Sequence, residues 1–214
     1  MQILLCAATP FEISAAEAFI KEKHLPVSLL ITGVGLTAAT YSITRAVHIF
    51  RPTLLLQAGI GGTFSDTYPL GTTVAVRSEC IGDLGVEEGG KFISIAGIGL
   101  QDSDGFPWKN GKLPADPELL ARTGLPLANS VSVNEISTRP DRIRYYKALS
   151  GGGIESMEGA ALHYVGLMEK IPFIQVRSLS NFAGERDKSR WKMQEAIGQL
   201  NLDLQIILTK LMEP

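Results

Sequence analysis

The chain has 214 residues, with 20 Lys and Arg against 22 Asp and Glu and a formal net charge of −2. That length supports a full core in one domain, expected over residues 1–214. The near balance of charge offers no global attraction to nucleic acid or an anionic membrane, and no apolar run reaches the roughly 18 residues of a bilayer span.

Gln2 to Ala8 is a short apolar run without the basic start of a signal peptide, so it predicts a strand. Thr9-Pro10 turns the chain, and Glu12 opens a helical pattern through Ile13, Ala16, Phe19 and Ile20. Val27 to Thr32 reads as a second buried strand, followed by Gly33-Val34-Gly35 and a helix to about Phe50, which Pro52 stops. Thr53 to Ala58 is a third strand ending in Gly59-Ile60-Gly61-Gly62. Strands apolar on both faces, alternating with helices, imply a sheet covered on both sides.

Leu70 to Ile81 alternates as a longer, twisted strand, and residues 82–117 hold much of the Gly, Pro and Asp. Apolar positions persist there (Phe92, Ile93, Phe106, Trp108), so this is a partly ordered excursion, not a linker. Leu125 to Val133 predicts a strand and Pro140 to Leu149 a helix. Asp187 to Met212 predicts a long helix with Trp191, Ile197, Leu200, Leu204 and Leu208 inward. Cys6 and Cys80 sit in apolar strands and are expected as buried free thiols in a reducing cytoplasm. His24, His48 and His163 lack ligand spacing, so no metal site is expected.

Chemistry concentrates in two stretches. In Gly153-Ile154-Glu155-Ser156-Met157-Glu158-Gly159-Ala160-Ala161, a short strand near Ile154 runs into a helix beginning near Met157 to Gly159. Glu155 and Glu158 fall at that corner, where open α/β sheets place ligands. The plainer reading is that Glu158 only favours a helix N-terminus. The second stretch, Phe173 to Gly184, is an apolar strand ending in Arg177-Ser178-Leu179-Ser180-Asn181. Together they resemble the nucleoside phosphorylase/nucleosidase superfamily, in which a Met-Glu pair holds the ribose and an Arg-x-x-Ser-Asp or Arg-x-x-Ser-Asn strand end presents the group that protonates or hydrogen-bonds the purine.

The resemblance implies a three-layer αβα sandwich with a mixed central sheet. It makes Glu158 the holder of the ribose hydroxyls, Met157 a contact to the sugar face and Asn181 the partner of the departing base, beside Ser180. Arg177 would position the acids, Gly59-Ile60-Gly61-Gly62 would form a Gly-rich turn that packs Gly59 and Gly61 beside the ribosyl site, and backbone from Val133 to Ile136 would contact the base. Glu12 by itself is one exposed acid at a helix start, a common capping arrangement; in hydrolytic members the matching acid activates water. The Gly33-Val34-Gly35-Leu36-Thr37-Ala38 run fits a dinucleotide fingerprint. It follows the second strand, however, and the next strand ends without the ribose-binding acid. The resembled family uses a similar turn for close approach to a sugar.

Charge distinguishes water from phosphate as nucleophile. A phosphate dianion needs cationic or N–H-rich clamps, yet between Met1 and Gly62 the only arginines are Arg45 and Arg51, on the second helix and at its end. Thr9-Pro10-Phe11-Glu12 replaces the Gly-x-x-x-x-Arg stretch that phosphorylases of this type carry after the first strand, and an acid where phosphate would sit repels it, which favours hydrolysis. An Asn amide both donates and accepts, so Asn181 suits a 6-oxopurine better than adenine. The run Ser180-Asn181-Phe182-Ala183-Gly184-Glu185-Arg186-Asp187-Lys188-Ser189-Arg190-Trp191 is similar to that of the futalosine hydrolases, whose substrate carries a 5′-side benzoate. Arg186, Lys188 and Arg190 are the candidate cations for it. The family implies no cofactor and a homo-oligomer, for which a surface with Phe106 or Trp108 is the candidate. The competing readings are a methylthioadenosine- or aminofutalosine-type nucleosidase, a phosphorylase, and a non-catalytic nucleoside-binding protein.

Overall fold

Alternation of buried apolar runs with amphipathic ones produces β1 (Ile3–Ala7), α1 (Pro10–Glu22), β2 (Val27–Ile31), α2 (Leu36–Phe50) and β3 (Leu54–Thr63) in the computed structural model, which describes residues 1–213. Then come β4 (Thr73–Ile81), a hairpin of β5 (Gly85–Glu88) and β6 (Lys91–Ser94), β7 (Leu113–Pro114), α3 (Pro117–Ala121) and β8 (Leu127–Ser132). The chain continues through α4 (Pro140–Leu149), β9 (Ile154–Ser156), α5 (Gly159–Met168), β10 (Phe173–Phe182), a 3-10 turn (Lys188–Arg190) and α6 (Met193–Met212).

The sheet is mixed and ordered β10-β4-β8-β9-β3-β1-β2, and β10 also pairs with β3. Five strands therefore close on themselves, while β1 and β2 continue from β3 as an open parallel extension. Alternate residues of β1, β3 and β10 point to opposite layers. Ile3, Leu5, Leu54, Leu56, Ile174 and Val176 meet α1, α3 and α6, whereas Leu4, Cys6, Leu55 and Phe173 meet α2 and α5. This is the αβα arrangement. Leu200, Leu204, Leu208 and Leu211 form the inward stripe of α6, each at most 3% exposed; burying each such leucine stabilises by about 1.5–3 kcal/mol.

Local expectations need correction at three places. β2 is half-buried, because it is the outer strand and pairs only with β1. Gly59 to Gly62 is not a turn but the second half of β3. The long C-terminal helix starts at Met193, so Trp191 lies outside it, and Ile197 is half-buried. Within 82–117 the hairpin β5–β6 turns on Gly89-Gly90, both at positive φ, a two-glycine hairpin signal. It is pinned to α4 by Arg142 stacked 4.0 Å from the Phe92 ring. Phe106 is exposed, but Trp108 is half-buried against Tyr164. Both cysteines are free and buried, and burial pushes each thiol up to about 12. Among the described residues no helix is long and apolar enough to cross a membrane.

Candidate active site

One edge of β3 is shared by two strands that do not meet. Residues 54–57 pair with β1, residues 62–63 pair with β9, and β10 runs along the other edge. Among the described residues no strand lies beside the intervening backbone from Ala58 to Gly61 on that edge, and a cleft of about 270 Å³ opens at this gap. It is the crevice a reversal of strand order leaves at the carboxyl ends of the strands.

Glu12 reaches the gap because Thr9 caps α1. The carboxylate lies three residues after the cap; one oxygen accepts from the Thr9 N–H and hydroxyl, each at 2.9 Å. Its other oxygen accepts from the Ile60 N–H at 3.1 Å, a donor the gap leaves free. Glu12 is 6% exposed, which overturns the reading of an exposed capping acid. A residue from the far end of the chain holds it in place. Asn201 of α6 accepts from the Ala16 N–H at 2.8 Å and donates to the Glu12 carbonyl at 2.9 Å, the pair of groups that an α-helix joins across one turn.

Glu158 caps the other side. At the N-terminus of α5 it accepts from the Gly35 N–H at 3.1 Å, and its second oxygen faces Arg177 Nη1 at 3.5 Å. Gly35 has φ +90°, a conformation that favours glycine, so the Gly33-Val34-Gly35 turn serves this carboxylate. Arg177 is 1% exposed and does not line the cleft; it lies beneath it, donating to Gln57 Oε1 at 2.8 Å. Gly59 also lies beneath. A Cβ there would stand 2.2 Å from Arg177 Nη1 and 2.9 Å from Glu12 Oε1, so the missing side chain is what lets the two groups converge.

The far end is built by a bulge. β10 slips by one residue between Leu179 and Asn181 against β3, leaving Ser180 as the extra residue and placing Asn181 opposite Gly62. Bulges re-aim side chains in this way. Asn181 Oδ1 accepts from the Ser180 hydroxyl at 2.8 Å, and its amide nitrogen donates to the Phe182 carbonyl at 2.9 Å, leaving a second N–H free of that bond. Met157, Gly61, Ile136, Ser180 and Asn181 line the cleft with Glu12 and Glu158. Val133 does not. It is fully buried with Cys80 and Tyr146, and its N–H donates to Ser156, extending the sheet.

Several participants carried no sequence signal of their own: Asn201, Gln57, and Asn134, whose Oδ1 receives the Leu36 N–H at the start of α2. Glu79 is fully buried behind the site and accepts from Ser132, Ser156 and Gln175, with burial raising its carboxyl. Among the three candidate cations, Arg186 lines the cleft over Trp191, Arg190 pairs with Glu185 and Asp187, and Lys188 lies on the exposed 3-10 turn. Among the described residues no cluster of three or more His, Cys, Asp or Glu is placed to hold a metal.

The description "Phosphorylase superfamily" fits residues 5–213. Futalosine hydrolase of Streptomyces coelicolor is 30% identical over 80% of this chain and 74% of its own length. Futalosine hydrolase of Thermus thermophilus is 29% identical, over 80% and 76%. Among solved structures, an S-adenosylhomocysteine nucleosidase from Streptococcus pyogenes superposes with TM-score 0.80 at 17% identity, covering 100% of this chain and 98% of that one. Futalosine hydrolase of Helicobacter pylori gives 0.72 at 15%, covering 99% and 95%. At those identities the two structures speak for the fold; the match along nearly the whole sequence places this chain in the phosphorylase superfamily.

Proposed function

We propose that this chain is a purine-nucleoside N-ribohydrolase whose substrate is futalosine, releasing hypoxanthine and dehypoxanthine futalosine in a route to menaquinone. The observation that carries the reading is the convergence of Glu12, Glu158 and Asn181, from three distant segments, on one cleft floored by glycine. The similarity to two futalosine hydrolases supports the choice of substrate.

In this reading Glu158, held by Arg177 and Gly35, accepts hydrogen bonds from the ribose 2′ and 3′ hydroxyls, and Met157 packs on the sugar. Glu12 takes a proton from water as the water attacks C1′. The N-ribosidic bond breaks through an oxocarbenium-like transition state, and the free amide N–H of Asn181 donates to the leaving purine. Water fits better than phosphate because the cleft presents the Glu12 carboxylate, while the buried Arg177 is committed to Glu158 and Gln57. Arg186 is the cation at the cleft with no carboxylate paired to it among the described residues, and it suits a 5′-side benzoate.

The test is a base-release assay offering futalosine, aminofutalosine, inosine and methylthioadenosine, each with and without phosphate. Hypoxanthine from futalosine, at a rate indifferent to phosphate, is expected. Adenine from aminofutalosine or methylthioadenosine instead would reassign the base, phosphate dependence would make the enzyme a phosphorylase, and no release would leave a binding protein. Arg186→Gln should raise KM for futalosine and leave KM for inosine unchanged.

A further inference from the structure

Glu155 is the one acid of the cleft to which neither the family resemblance nor the mechanism assigns a role. It is 8% exposed and lines the cleft, and among the described residues its carboxylate has no hydrogen bond and no ion pair. This is unusual, because buried carboxylates are ordinarily paired. Glu12 accepts three hydrogen bonds and Glu158 one, along with the Arg177 contact. The charged neighbour that Glu155 feels most is Asp83, another acid, and burial together with that repulsion raises its carboxyl to about 7. A group left in that condition lacks a donor, and the open side of its surroundings is the cleft.

The sheet says where along the cleft the donor arrives. Glu155 pairs with Gly62 across β9 and β3, and Asn181 pairs with the same Gly62 across β10 and β3. Directly opposed residues share a face, so the two side chains flank a glycine whose missing Cβ would lie 3.5 Å from Asn181 Nδ2. With strands about 4.8 Å apart, the two backbones are separated by about 10 Å, with a bare floor between. A flat heterocycle that meets Asn181 by one edge presents its other edge to Glu155.

We propose that Glu155 is a specificity-determining residue that reads the Watson–Crick edge of the base, its carboxylate accepting the N1–H that a 6-oxopurine carries and that adenine and N1-methylated 6-oxopurines lack. Once ionised, Glu155 can only accept, so at a pH above its titration range adenine N1 would face it lone pair to lone pair. The inference rests on the purine-nucleoside reading and adds to it the edge by which the base is chosen.

The experiment titrates the full chain with hypoxanthine, 1-methylhypoxanthine and adenine by calorimetry, at a pH above the range in which Glu155 ionises, for the wild type, Glu155→Leu and Glu155→Gln. The wild type should bind hypoxanthine about 10- to 100-fold more tightly than 1-methylhypoxanthine, the range for a hydrogen bond to a charged group. Glu155→Leu should bring the two within a few-fold, and Glu155→Gln, which keeps an acceptor oxygen, should retain part of the preference. Because Leu has similar bulk, a preference that survives in Glu155→Leu would be steric and would overturn the proposal. A uniform loss of affinity for all three bases, with a lowered Tm, would mark a structural role and overturn it too. Equal binding of hypoxanthine and its N1-methyl derivative by the wild type would sink this inference while leaving the nucleosidase reading intact; no binding of any base would withdraw both.

Discussion

The two ends of the cleft are built on opposite principles. At the end proposed for the sugar every acidic oxygen of Glu12 and Glu158 is committed to a backbone N–H, a hydroxyl or the Arg177 guanidinium. At the end proposed for the base, Asn181 keeps an N–H beyond its bond to Phe182, and among the described residues the Glu155 carboxylate has no hydrogen bond or ion pair. In the proposed reaction the first end is organised before substrate arrives, as electrostatic catalysis requires. The second, in the same proposal, is completed by the base, which is how a site discriminates among similar ligands.

The largest effect that would break this contrast is Glu12→Gln. Losing the proposed general base should lower the rate of base release by about 10²–10⁴-fold, with hypoxanthine affinity kept near that of the wild type. A similar loss of base affinity would mean that the two ends do not work separately. Next comes Arg177→Met, which leaves Glu158 buried without its counter-charge. Chemical denaturation should show a loss of about 3–5 kcal/mol, as when one partner of a buried pair is removed. Asn201→Leu is smaller, about 1–3 kcal/mol for a lost buried hydrogen-bonding partner. Its diagnostic feature is a fall in kcat with the affinity for base retained, because Asn201 acts on Glu12 through α1.

The smallest effect is a pH dependence at the base end. Burial and Asp83 raise the Glu155 carboxyl from its ordinary 4.5 to about 7. Between those values the folded protein holds a proton that the unfolded chain has released, so this group weakens the fold as pH rises through the window. Glu155→Leu lacks the term, and its Tm advantage over the wild type should grow from about pH 4.5 to about pH 7. Burial lowers His163 to about 4, which works in the opposite direction between that value and its ordinary 6.5. Asp83, Tyr146, Arg142 and His163 are common to both proteins and largely cancel in the difference. A flat difference across the window would mean that Glu155 is solvated.

Local patterns carried most of the architecture. The alternation of β1, α1, β2, α2 and β3 was legible because each strand is apolar on both faces and each helix on one. That Glu12, Met157, Glu158, Ser180 and Asn181 line one cleft matches the positions the resemblance singled out, each where an element begins or ends. Partnership was not legible. The burial of Glu12 depends on Ile60, 48 residues away, and on Asn201, 189 residues away, and no short-range pattern encodes such a bond. Gly59 to Gly62 read as a turn because glycine commonly marks one. In the fold these residues extend a strand, and their lack of side chains makes room for Arg177, Glu12 and the cleft floor.

Read locally, the residues establish the alternation of strands and helices, the sheet's covering on both faces and the chemical types gathered at the strand ends, because periodicity and element termini are local properties, while the three-layer order came through the resemblance. Only the tertiary structure decided which carboxylate is clamped and which is left waiting. That depends on the gap between β1 and β9 along β3 and on the one-residue slip at Ser180. Both arise where strands distant in the chain compete for the same edge.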